Sequence, residues 1–568
     1  MRKVQSLDGR WTYQFPVAGT TLDALAPGEV REVGIAVPGV WESLPEWINY
    51  RGQAVAKTVF ETDRSGPARF VFKGVSHTCV VYLDGKEVGA HHNAYTPFAI
   101  DLPSLSAGRH ELTVWITNEF GEASALHIPN DYYTYGGISR PVELQLLETA
   151  VYIRRVRFTP RQEQGQWVAD LEACLVNLSG QLCTGRLSVE VAGETWTVPQ
   201  AEVAACEALL TGTLRFSGVE EWSSESPTLH LLRARFESSE GADDWIDRVG
   251  FRTVTIDGAR LLVNGKPVFL MGFNRHEDHP DYGCALPVEI MRKDLELCRV
   301  MGANAIRTSH YPNDERFLDL CDELGLMVWE ENHARGLYPQ GVLPLMDSHP
   351  MAHPKFREQC RTCNEEMVLE HHNHPSIVLW GILNECDSYS DYGRSCYQEQ
   401  FEQIKALDPS RPTTYASCHQ GDARQTAVDI CQDLPDVCSW NHYHTWYDTC
   451  GAAEGLRREL EKWEPKMAGK PYIVSEFGAG ALPGYRAPLG RPKWSEERQA
   501  DALRDCLETY LNHPRLCGAF IWQFCDVRVD EAWAMKRPRT MNNKGVVDEY
   551  RRPKLAFEVV QQLFRAAR

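Results

Sequence analysis

The chain lacks the features that mark membrane-spanning and nucleic-acid-binding proteins. No segment reaches the roughly 18 uninterrupted apolar residues that a transmembrane helix needs. The formal net charge is -19, and no cluster of Lys and Arg interrupts the acidic background. Because such a surface repels phosphate backbones, neither a membrane nor a nucleic acid is expected as a partner.

Export signals and metal-binding patterns are also scarce. The basic residues Arg2 and Lys3 are not followed by an apolar stretch of signal-peptide length. The 18 cysteines are scattered, and many lie in apolar runs, which favours buried reduced thiols over disulfides. The Cys-x-x-Cys at Cys360 and Cys363 has no second pair, and no glycine-rich phosphate loop follows a strand. We therefore predict a cytoplasmic protein without a metal or cofactor.

Length and composition predict several domains. The chain has 568 residues, of which 43% are hydrophobic and 10% aromatic, enough to fill several cores. Short apolar runs with turn signals between them, such as Thr78-Cys-Val-Val-Tyr-Leu83 before Asp84-Gly85, predict a jelly-roll β-sandwich over residues 1–150. Strand-like runs continue through residues 151–253, the length of one immunoglobulin-like β-sandwich.

From residue 254 onward, strand-like apolar runs alternate with amphipathic helical segments, as in a βα array. The eight runs are Val268–Gly272, Ala305–Arg307, Met327–Trp329, Ile377–Leu383, Thr413–Ala416, Val437–Trp440, Tyr472–Val474 and Gly518–Trp522. Eight strands close a barrel without a spare edge, so we predict a (β/α)8 TIM barrel over residues 254–568.

Two of these runs lead into a glutamate. Glu385 follows the fourth run and Glu476 follows the seventh. The carboxyl ends of barrel strands meet at one rim, where barrel enzymes keep their chemistry. A pair of carboxylates there is what cleavage of a glycosidic bond requires, one as proton donor and one as nucleophile or base. A single glutamate at such a place could instead be a helix N-terminal carboxylate or the partner of an arginine.

A third segment, Asn542-Asn543-Lys544-Gly545, follows the eighth run. In an extended segment residues i and i+2 face the same side, so Asn542 and Lys544 can converge on one carboxylate while Asn543 points away. Charge-assisted bonds of this kind are worth about 1.5 to 3 kcal/mol each, enough to separate a uronate from a neutral hexose. The sequence therefore predicts a glycosidase that acts on uronic acids.

Several motifs occur along the chain in a recognisable order. They are Asn130-Asp131-Tyr-Tyr-Thr-Tyr-Gly-Gly-Ile-Ser-Arg140, Gly272-Phe-Asn-Arg-His-Glu-Asp278, Ile306-Arg-Thr-Ser-His-Tyr-Pro312, Asn384-Glu385, Ser475-Glu-Phe-Gly478 and Asn542-Asn-Lys-Gly545. Together they resemble the motifs of the family two glycoside hydrolases, specifically the bacterial β-glucuronidases. The resemblance covers nearly the whole chain. It implies retention of configuration, a homo-oligomer, and small uronic acid conjugates or oligosaccharides as substrates.

The resemblance also implies roles for individual residues. Glu385 would act as acid and base, Glu476 as nucleophile, and Tyr443 would hold the nucleophile and keep its pKa low. Asn384 resembles the residue that binds the sugar 2-hydroxyl. Other positions that match the family's sugar site are His310, Tyr447, Trp522 and Asp131, the last expected from the N-terminal sandwich. By themselves, Tyr443 and His310 could instead be buried structural residues.

One position departs from the family pattern. Arg335 stands where the glucuronidases usually carry a small apolar residue ahead of a glycine. A cation near the end of the third strand could contact the 4-hydroxyl or the carboxylate and admit the galacto epimer. The sequence therefore leaves open a β-glucuronidase, a β-galacturonidase or a mixed β-hexuronidase. The segment between Glu331 and His371 is short for a long active-site lid, which leaves the size of the aglycone open.

Two other interpretations remain. A β-galactosidase-like enzyme would act on neutral sugars around a metal held by His276, Glu277 and the Glu331-to-His333 region. A catalytically silent carbohydrate-binding protein would use the barrel as a scaffold. The presence of both Glu385 and Glu476 argues against the second interpretation.

Overall fold

The structure, a computed structural model, shows two compact units. It describes residues 2–17, 28–121, 123–336, 351, 353–421, 426–448, 450–467, 469–511, 513–534 and 537–567. The first unit contains Met1–Glu119, Tyr135–Thr253 and Leu369–Pro375, and the second contains Phe120–Thr134, Val254–Val368 and Ser376–Arg568. All of the predicted site residues lie in the second unit.

Two antiparallel sheets form the N-terminal β-sandwich of the first unit. Its strands are β1 (Lys3–Ser6), β2 (Gly9–Pro16), β3 (Val30–Val37), β4 (Gln53–Thr62), β5 (Gly66–Phe72), β6 (Thr78–Leu83), β7 (Lys86–His92), β8 (Phe98–Leu105), β9 (Gly108–Thr117) and β10 (Val142–Leu146). One sheet has the order β1-β10-β5-β8 and the other the order β3-β2-β4-β9-β6-β7. Side chains of both sheets, such as Trp11, Tyr13, Phe70 and Leu144, pack in one buried core.

The second sandwich of the first unit has the strand arrangement of an immunoglobulin-like domain. Its strands are β11 (Val151–Glu163), β12 (Gln166–Asn177), β13 (Cys183–Val191), β14 (Glu194–Val203), β15 (Cys206–Phe216), β16 (His230–Ser238) and β17 (Gly241–Val249). They form a three-stranded sheet β11-β12-β15 and a four-stranded sheet β14-β13-β16-β17. Phe158, Leu171, Val189 and Phe236 belong to its core.

The second unit is built around eight parallel strands. A small antiparallel sheet comes first, formed by β18 (Val254–Asp257), β19 (Arg260–Val263) and β20 (Lys266–Val268). The parallel strands are β21 (Leu270–Asn274), β22 (Ala305–Arg307), β23 (Met327–Glu331), β24 (Ile377–Asn384), β25 (Thr413–Ala416), β26 (Cys438–Asn441), β27 (Tyr472–Phe477) and β28 (Leu516–Ile521). Their order is β25-β24-β23-β22-β21-β28-β27-β26, and a bridge between Ser417 and Trp440 joins the two ends into a TIM barrel.

Helices connect these strands. They are α1 (Val288–Met301), α2 (Glu315–Leu324), α3 (Phe356–His371), α4 (Asp391–Leu407), α5 (Ala452–Met467), α6 (Glu496–Tyr510), α7 (Glu531–Ala534) and α8 (Leu555–Ala567). Asp314, Ser390 and Ser495 cap the starts of α2, α4 and α6, each accepting a backbone N–H with its side chain. A short hairpin of β29 (Val527–Arg528) and β30 (Met541–Asn542) extends from the end of the barrel sequence.

The predicted β-sandwiches and TIM barrel are confirmed, with corrections in detail. All eight apolar runs form barrel strands, because strands buried on both faces have nearly continuous apolar sequences. Residues 266–268, however, pair with β19 as β20, so the first barrel strand begins only at Leu270. Asp131 lies in Phe120–Thr134, the segment of the N-terminal region that belongs to the second compact unit.

Two further observations bear on the predictions about membrane-spanning segments and disulfides. Within the described residues, no helix has the length and apolarity that crossing a membrane requires. All 18 cysteines lie in the described residues, and each is a free thiol.

Candidate active site

Glu385 lies directly after the last residue of β24, and Glu476 lies inside β27 near its carboxyl end. Glu385 has a left-handed backbone, with φ 53°. This conformation is held by a hydrogen bond from its N–H to the carbonyl of Ala416, at 2.8 Å. Gly336 packs against the same turn, and a Cβ there would lie 2.2 Å from the carbonyl oxygen of Glu385. A side chain at residue 336 would therefore displace this glutamate.

Glu476 is held by two donors. The Tyr443 hydroxyl donates to Oε2 at 2.8 Å, and Arg307 Nη1 donates to Oε1 at 3.0 Å. His310 Nε2 lies 3.8 Å from the same Oε1 atom. Both oxygens of this carboxylate are therefore fixed in position by protein groups.

Glu385 is held from the neighbouring strands. Asn441 donates its amide to Oε1 at 2.9 Å, and Arg335 lies 3.4 Å from Oε2. Asn441 is the last residue of β26 and stands opposite Glu476 in the pairing of β26 with β27. Arg307 also joins the two sides, since it contacts Glu476 and donates to Asn384 at 2.9 Å. The two acids therefore lie near one another at the carboxyl end of the barrel, on strands that Asn441 and Arg307 connect.

Asn542 and Lys544 connect to this group of side chains through Asp131, Tyr443 and Tyr447. The Lys544 ammonium donates to the Tyr447 hydroxyl at 2.9 Å and lies 5.2 Å from the ring centre of Tyr443, the residue that holds Glu476. Asn542 donates to Asp131 at 3.2 Å. Lys544 is 3% exposed, whereas Tyr447 is 42% exposed.

Arg335 lies between two carboxylates. Its guanidinium is 2.6 Å from Asp131 and 3.4 Å from Glu385, and it also bonds the side chain of Asn130. Arg335 therefore connects Glu385 with Asp131, the carboxylate to which Asn542 donates.

The predicted site residues form one connected network. His310 joins it through its ring, which stacks on Trp522 with centroids 5.1 Å apart. The structure thus links all of the residues predicted from the sequence, which are Asp131, His310, Arg335, Asn384, Glu385, Tyr443, Tyr447, Glu476, Trp522, Asn542 and Lys544.

Comparison with protein families places these residues in context. Residues 254–567 match the TIM barrel domain of the glycosyl hydrolases family 2, and residues 43–148 match the sugar binding domain of that family. The chain belongs to glycosyl hydrolase family 2. It is a glycoside hydrolase.

The chain is also similar to solved structures and to curated proteins. A β-galacturonidase from Eisenbergiella tayi, bound to galacturonate, is 45% identical, with a TM-score of 0.91 over 100% of this chain and 97% of that one. A β-glucuronidase from Ruminococcus gnavus in complex with D-glucuronic acid is 25% identical, with a TM-score of 0.85 over 99% and 98% of the two chains. A β-glucuronidase from Streptococcus agalactiae is 28% identical over 519 residues, covering 85% of this chain and 83% of that protein.

The electrostatics of the family 2 site correct one prediction. Burial raises the pKa of Glu476 to about 7, although Arg307 lowers it and Tyr443 lowers it further by donating a hydrogen bond. The expectation that Tyr443 keeps this pKa low was wrong, because the loss of hydration outweighs the phenol donor. Glu476 therefore holds its proton to a higher pH than a solvated glutamate does.

Sequence reasoning named Glu331 only in the alternative metal centre and missed it as a residue of the glycosidase site. It bonds Arg307 at 2.7 Å and His310 at 2.8 Å, and burial raises its pKa to about 7 against the opposing effect of Arg307. Burial lowers the pKa of His310 well below its usual range, with Arg307 and Arg335 adding to the effect. His310 is therefore a neutral ring at physiological pH.

Arg307 and Asn441 were also missed, although a signal was available for both. Each is the last residue of a barrel strand, as Glu385 and Glu476 are near the ends of theirs. Polar residues at the carboxyl ends of buried barrel strands indicate functional positions. Arg307 has no exposed side-chain surface, and it contacts Glu476, Glu331 and Asn384.

A few described side chains could share a metal ion. His442, His444 and Glu459 lie close enough together, but Tyr472 bonds His442, and Trp463 donates to Glu459 at 3.0 Å.

The β-galactosidase-like metal centre considered above would lie elsewhere, around His276 and Glu277. His276 Nδ1 bonds the Tyr311 hydroxyl at 3.2 Å, and Glu277 accepts from the Asp314 backbone at 2.9 Å. Among the residues that the structure describes, neither of these two side chains belongs to a group able to share an ion.

Proposed function

We propose that this chain is a retaining, exo-acting β-D-hexuronidase that hydrolyses β-D-glucuronides and releases the uronic acid from its aglycone. The observation that carries this proposal is the path from Glu476 through Tyr443 to the buried ammonium of Lys544. It puts a cation next to the ring that holds the proposed nucleophile. A sugar placed for attack at its anomeric carbon could then direct its C6 carboxylate toward that cation.

The reaction we propose has two displacements. In the first, Glu476 attacks the anomeric carbon while Glu385 gives its proton to the glycosidic oxygen, and the bond to the aglycone breaks. In the second, Glu385 takes a proton from water, the water oxygen bonds to the anomeric carbon, and Glu476 leaves. Tyr443 and Arg307 support this role for Glu476, because they hold it in one rotamer and favour its ionised form.

Substrate orientation is proposed for the remaining residues. Asn384 would bind the sugar 2-hydroxyl, since Arg307 holds its amide oxygen and leaves the amide nitrogen to donate. His310 and Trp522 would form one wall through their stacked rings. Asn542 and Lys544 would bind the uronate, with Tyr447 beside the ammonium.

A second candidate is β-D-galacturonidase activity, and Arg335 is the observation that favours it. Its guanidinium lies between Asp131 and the proposed acid Glu385, where a sugar hydroxyl near C4 would meet it. The 45% identity to the E. tayi β-galacturonidase supports the same candidate. An enzyme that accepts both epimers is the intermediate outcome.

The test compares three nitrophenyl substrates, the β-D-glucuronide, the β-D-galacturonide and the β-D-galactoside. We expect both uronides to be hydrolysed at a kcat/KM about 100-fold or more above the galactoside, since a buried cation left unpaired rejects the neutral sugar. Glu385→Gln and Glu476→Gln should each abolish turnover. Uronide turnover that persists in Glu476→Gln, or a preference for the galactoside, would contradict the proposal.

Several finer predictions stay predictions. They are a homo-oligomer, a cytoplasmic location, the boundaries 1–150, 151–253 and 254–568, and uronic acid conjugates or oligosaccharides as the natural substrates. Residues 337–350, which bear on the size of an active-site lid, lie outside the described residues.

A further inference from the structure

We infer that Arg537 is a second cation for the substrate carboxylate and shares the selection of uronides with Lys544. This inference rests on the proposed function and adds a specificity-determining residue to it. Nothing in the predicted motif Asn542-Asn543-Lys544-Gly545 indicates Arg537, which precedes that motif on the same loop.

The position of Arg537 is fixed next to the proposed uronate-binding pair. Its guanidinium donates to Oδ2 of Asp131 at 2.8 Å, and Asn542 donates to the same oxygen at 3.2 Å. Two donors to one oxygen atom must lie side by side, so Arg537 and Asn542 are immediate neighbours. The Arg537 side chain is 11% exposed, and its ion pair is therefore largely shielded from water.

The loop that carries these residues is tied together internally. Asn543, whose side chain was predicted to point away from the carboxylate, donates its amide to the carbonyl of Pro538 at 2.7 Å. The backbone N–H of Thr540 bonds the carbonyl of Arg537 at 3.1 Å. The Trp533 ring lies 5.8 Å from the Arg537 guanidinium. Arg537, Asn542 and Lys544 are therefore presented together by one loop, with little freedom between them.

The positive and negative charges in this part of the site do not balance. Arg335, Arg537 and Lys544 supply three cations, whereas the described carboxylates that pair with the two arginines are Asp131 and Glu385. These two carboxylates carry at most two negative charges against three positive ones. Buried cations without a matching anion are unfavourable. A uronate, unlike a neutral hexose, supplies the missing negative charge.

Tyr447 indicates where this charge would lie. Lys544 donates to its hydroxyl at 2.9 Å, and Arg537 also interacts with that hydroxyl. Although burial raises the pKa of Tyr447, these two cations lower it to about 8. Both cations therefore act on one point beside the exposed ring of Tyr447. Arg537 Nε is buried and has no hydrogen-bond partner among the described residues, so it is available to a ligand there.

A purely structural role for Arg537 makes a different prediction. If the residue only positioned Asp131, its loss would act through Arg335, which pairs with the same carboxylate at 2.6 Å. The ratio of galacturonide to glucuronide turnover would then change. A contact to the C6 carboxylate is common to both epimers, so it predicts no change in that ratio.

The experiment uses the full chain with Arg537→Gln, Arg537→Lys and Lys544→Gln. The control is Arg539→Gln, two residues away, whose side chain is 42% exposed and pairs with Glu549. Binding of free galacturonate is measured by calorimetry, together with KM and kcat on the nitrophenyl glucuronide and galacturonide. We expect Arg537→Gln to weaken galacturonate binding and raise KM on both uronides about tenfold or more. Arg537→Lys should recover much of the loss.

The outcomes separate the two proposals. Galacturonate binding and KM that change less than about threefold in Arg537→Gln would overturn the inference, while wild-type turnover of uronides leaves the proposed function intact. A lower kcat with unchanged galacturonate binding, or a shifted epimer ratio, would also overturn it. A wild-type chain that hydrolyses no uronide would instead contradict the proposed function. If Arg537→Gln does not fold, Arg537→Lys decides, since a contact of this geometry predicts a smaller but measurable loss of binding.

Discussion

At the scale of single residues, the site works through side chains that each contact two others. Tyr443 bonds Glu476 and lies under the Lys544 ammonium, while Arg335 touches both Asp131 and Glu385. A substitution therefore changes the ionisation or position of the next residue, and not only a single contact. The pH profile and the epimer ratio report such changes more directly than total activity does.

Tyr443→Phe should move the acid limb of kcat/KM to higher pH. Glu476 must be ionised to attack, and burial has raised its pKa to about 7, so wild-type kcat/KM should fall as the pH drops below that value. The phenol lowers this pKa through its 2.8 Å bond, and without it the limb should shift upward by about one pH unit. The measurement is kcat/KM on an aryl glucuronide from acid to alkaline pH. Tyr397→Phe is the control, a buried tyrosine whose hydroxyl has no partner among the described residues. An acid limb that stays in place would remove Tyr443 from this role.

Arg335→Val should shift selectivity toward the glucuronide. The guanidinium beside Asp131 and Glu385 is placed to favour an axial 4-hydroxyl, and its loss should lower the galacturonide-to-glucuronide ratio of kcat/KM about tenfold. Asp131 keeps Arg537 as an ion-pair partner at 2.8 Å, so the pocket should remain folded. Arg539→Val controls for loss of a positive charge nearby. An unchanged ratio would show that Arg335 does not distinguish the galacto from the gluco epimer.

At the scale of elements, the sequence indicates the strands well and the loops poorly. Every residue of β24 is buried, and its continuous apolar run made both the strand and the glutamate after it predictable. Asn441 was not predictable in the same way, because its role depends on its alignment with Glu476 across two strands. Arg537 was missed because it belongs to an irregular loop whose path depends on tertiary contacts such as that of Asn543 with Pro538.

Lys554→Met should weaken the support of the loop that carries the uronate-binding pair. Lys554 is buried, donates to Asp526 at 2.7 Å and to the carbonyl of Ala481 at 2.9 Å, and Asp526 accepts from the N–H of Gly545 at 2.9 Å. Removing the cation leaves a buried carboxylate without its partner, which should cost about 3 to 5 kcal/mol of stability. The unfolding midpoint should fall, and KM for uronides should rise.

The matched variant for this prediction is Lys466→Met, at an exposed position of α5. The double variant Lys554→Met with Asp526→Asn should recover part of the loss, because it removes the unpaired charge as well. If Lys554→Met unfolds at the same midpoint as the wild type, the pair does not support the loop.

At the scale of the whole molecule, barrel closure creates the pair of acids. In the strand order, β24 and β27 each lie next to one end of the ladder, and the ends meet through Ser417 and Trp440. Glu385 and Glu476 therefore come together only when β25 and β26 are side by side. The closed barrel also buries both carboxylates, so catalysis and stability are linked through their ionisation.

Glu476→Gln should make the protein inactive and, above neutral pH, more stable than the wild type. The folded pKa of Glu476 is about 7, raised from an ordinary value of 4.5. Its protonated form thus contributes stability that is fully present below about pH 4.5 and is lost as the pH rises to about 7. Glutamine stays neutral throughout, so the variant should gain on the order of 3 kcal/mol relative to wild type between those limits.

Thermal unfolding midpoints of both proteins, measured at one scan rate across this range, give the difference. Glu464→Gln, an exposed glutamate, should show no such trend. A wild type that gains stability relative to Glu476→Gln as the pH rises would mean that the barrel favours the ionised nucleophile, and burial would not be the dominant influence on this carboxyl.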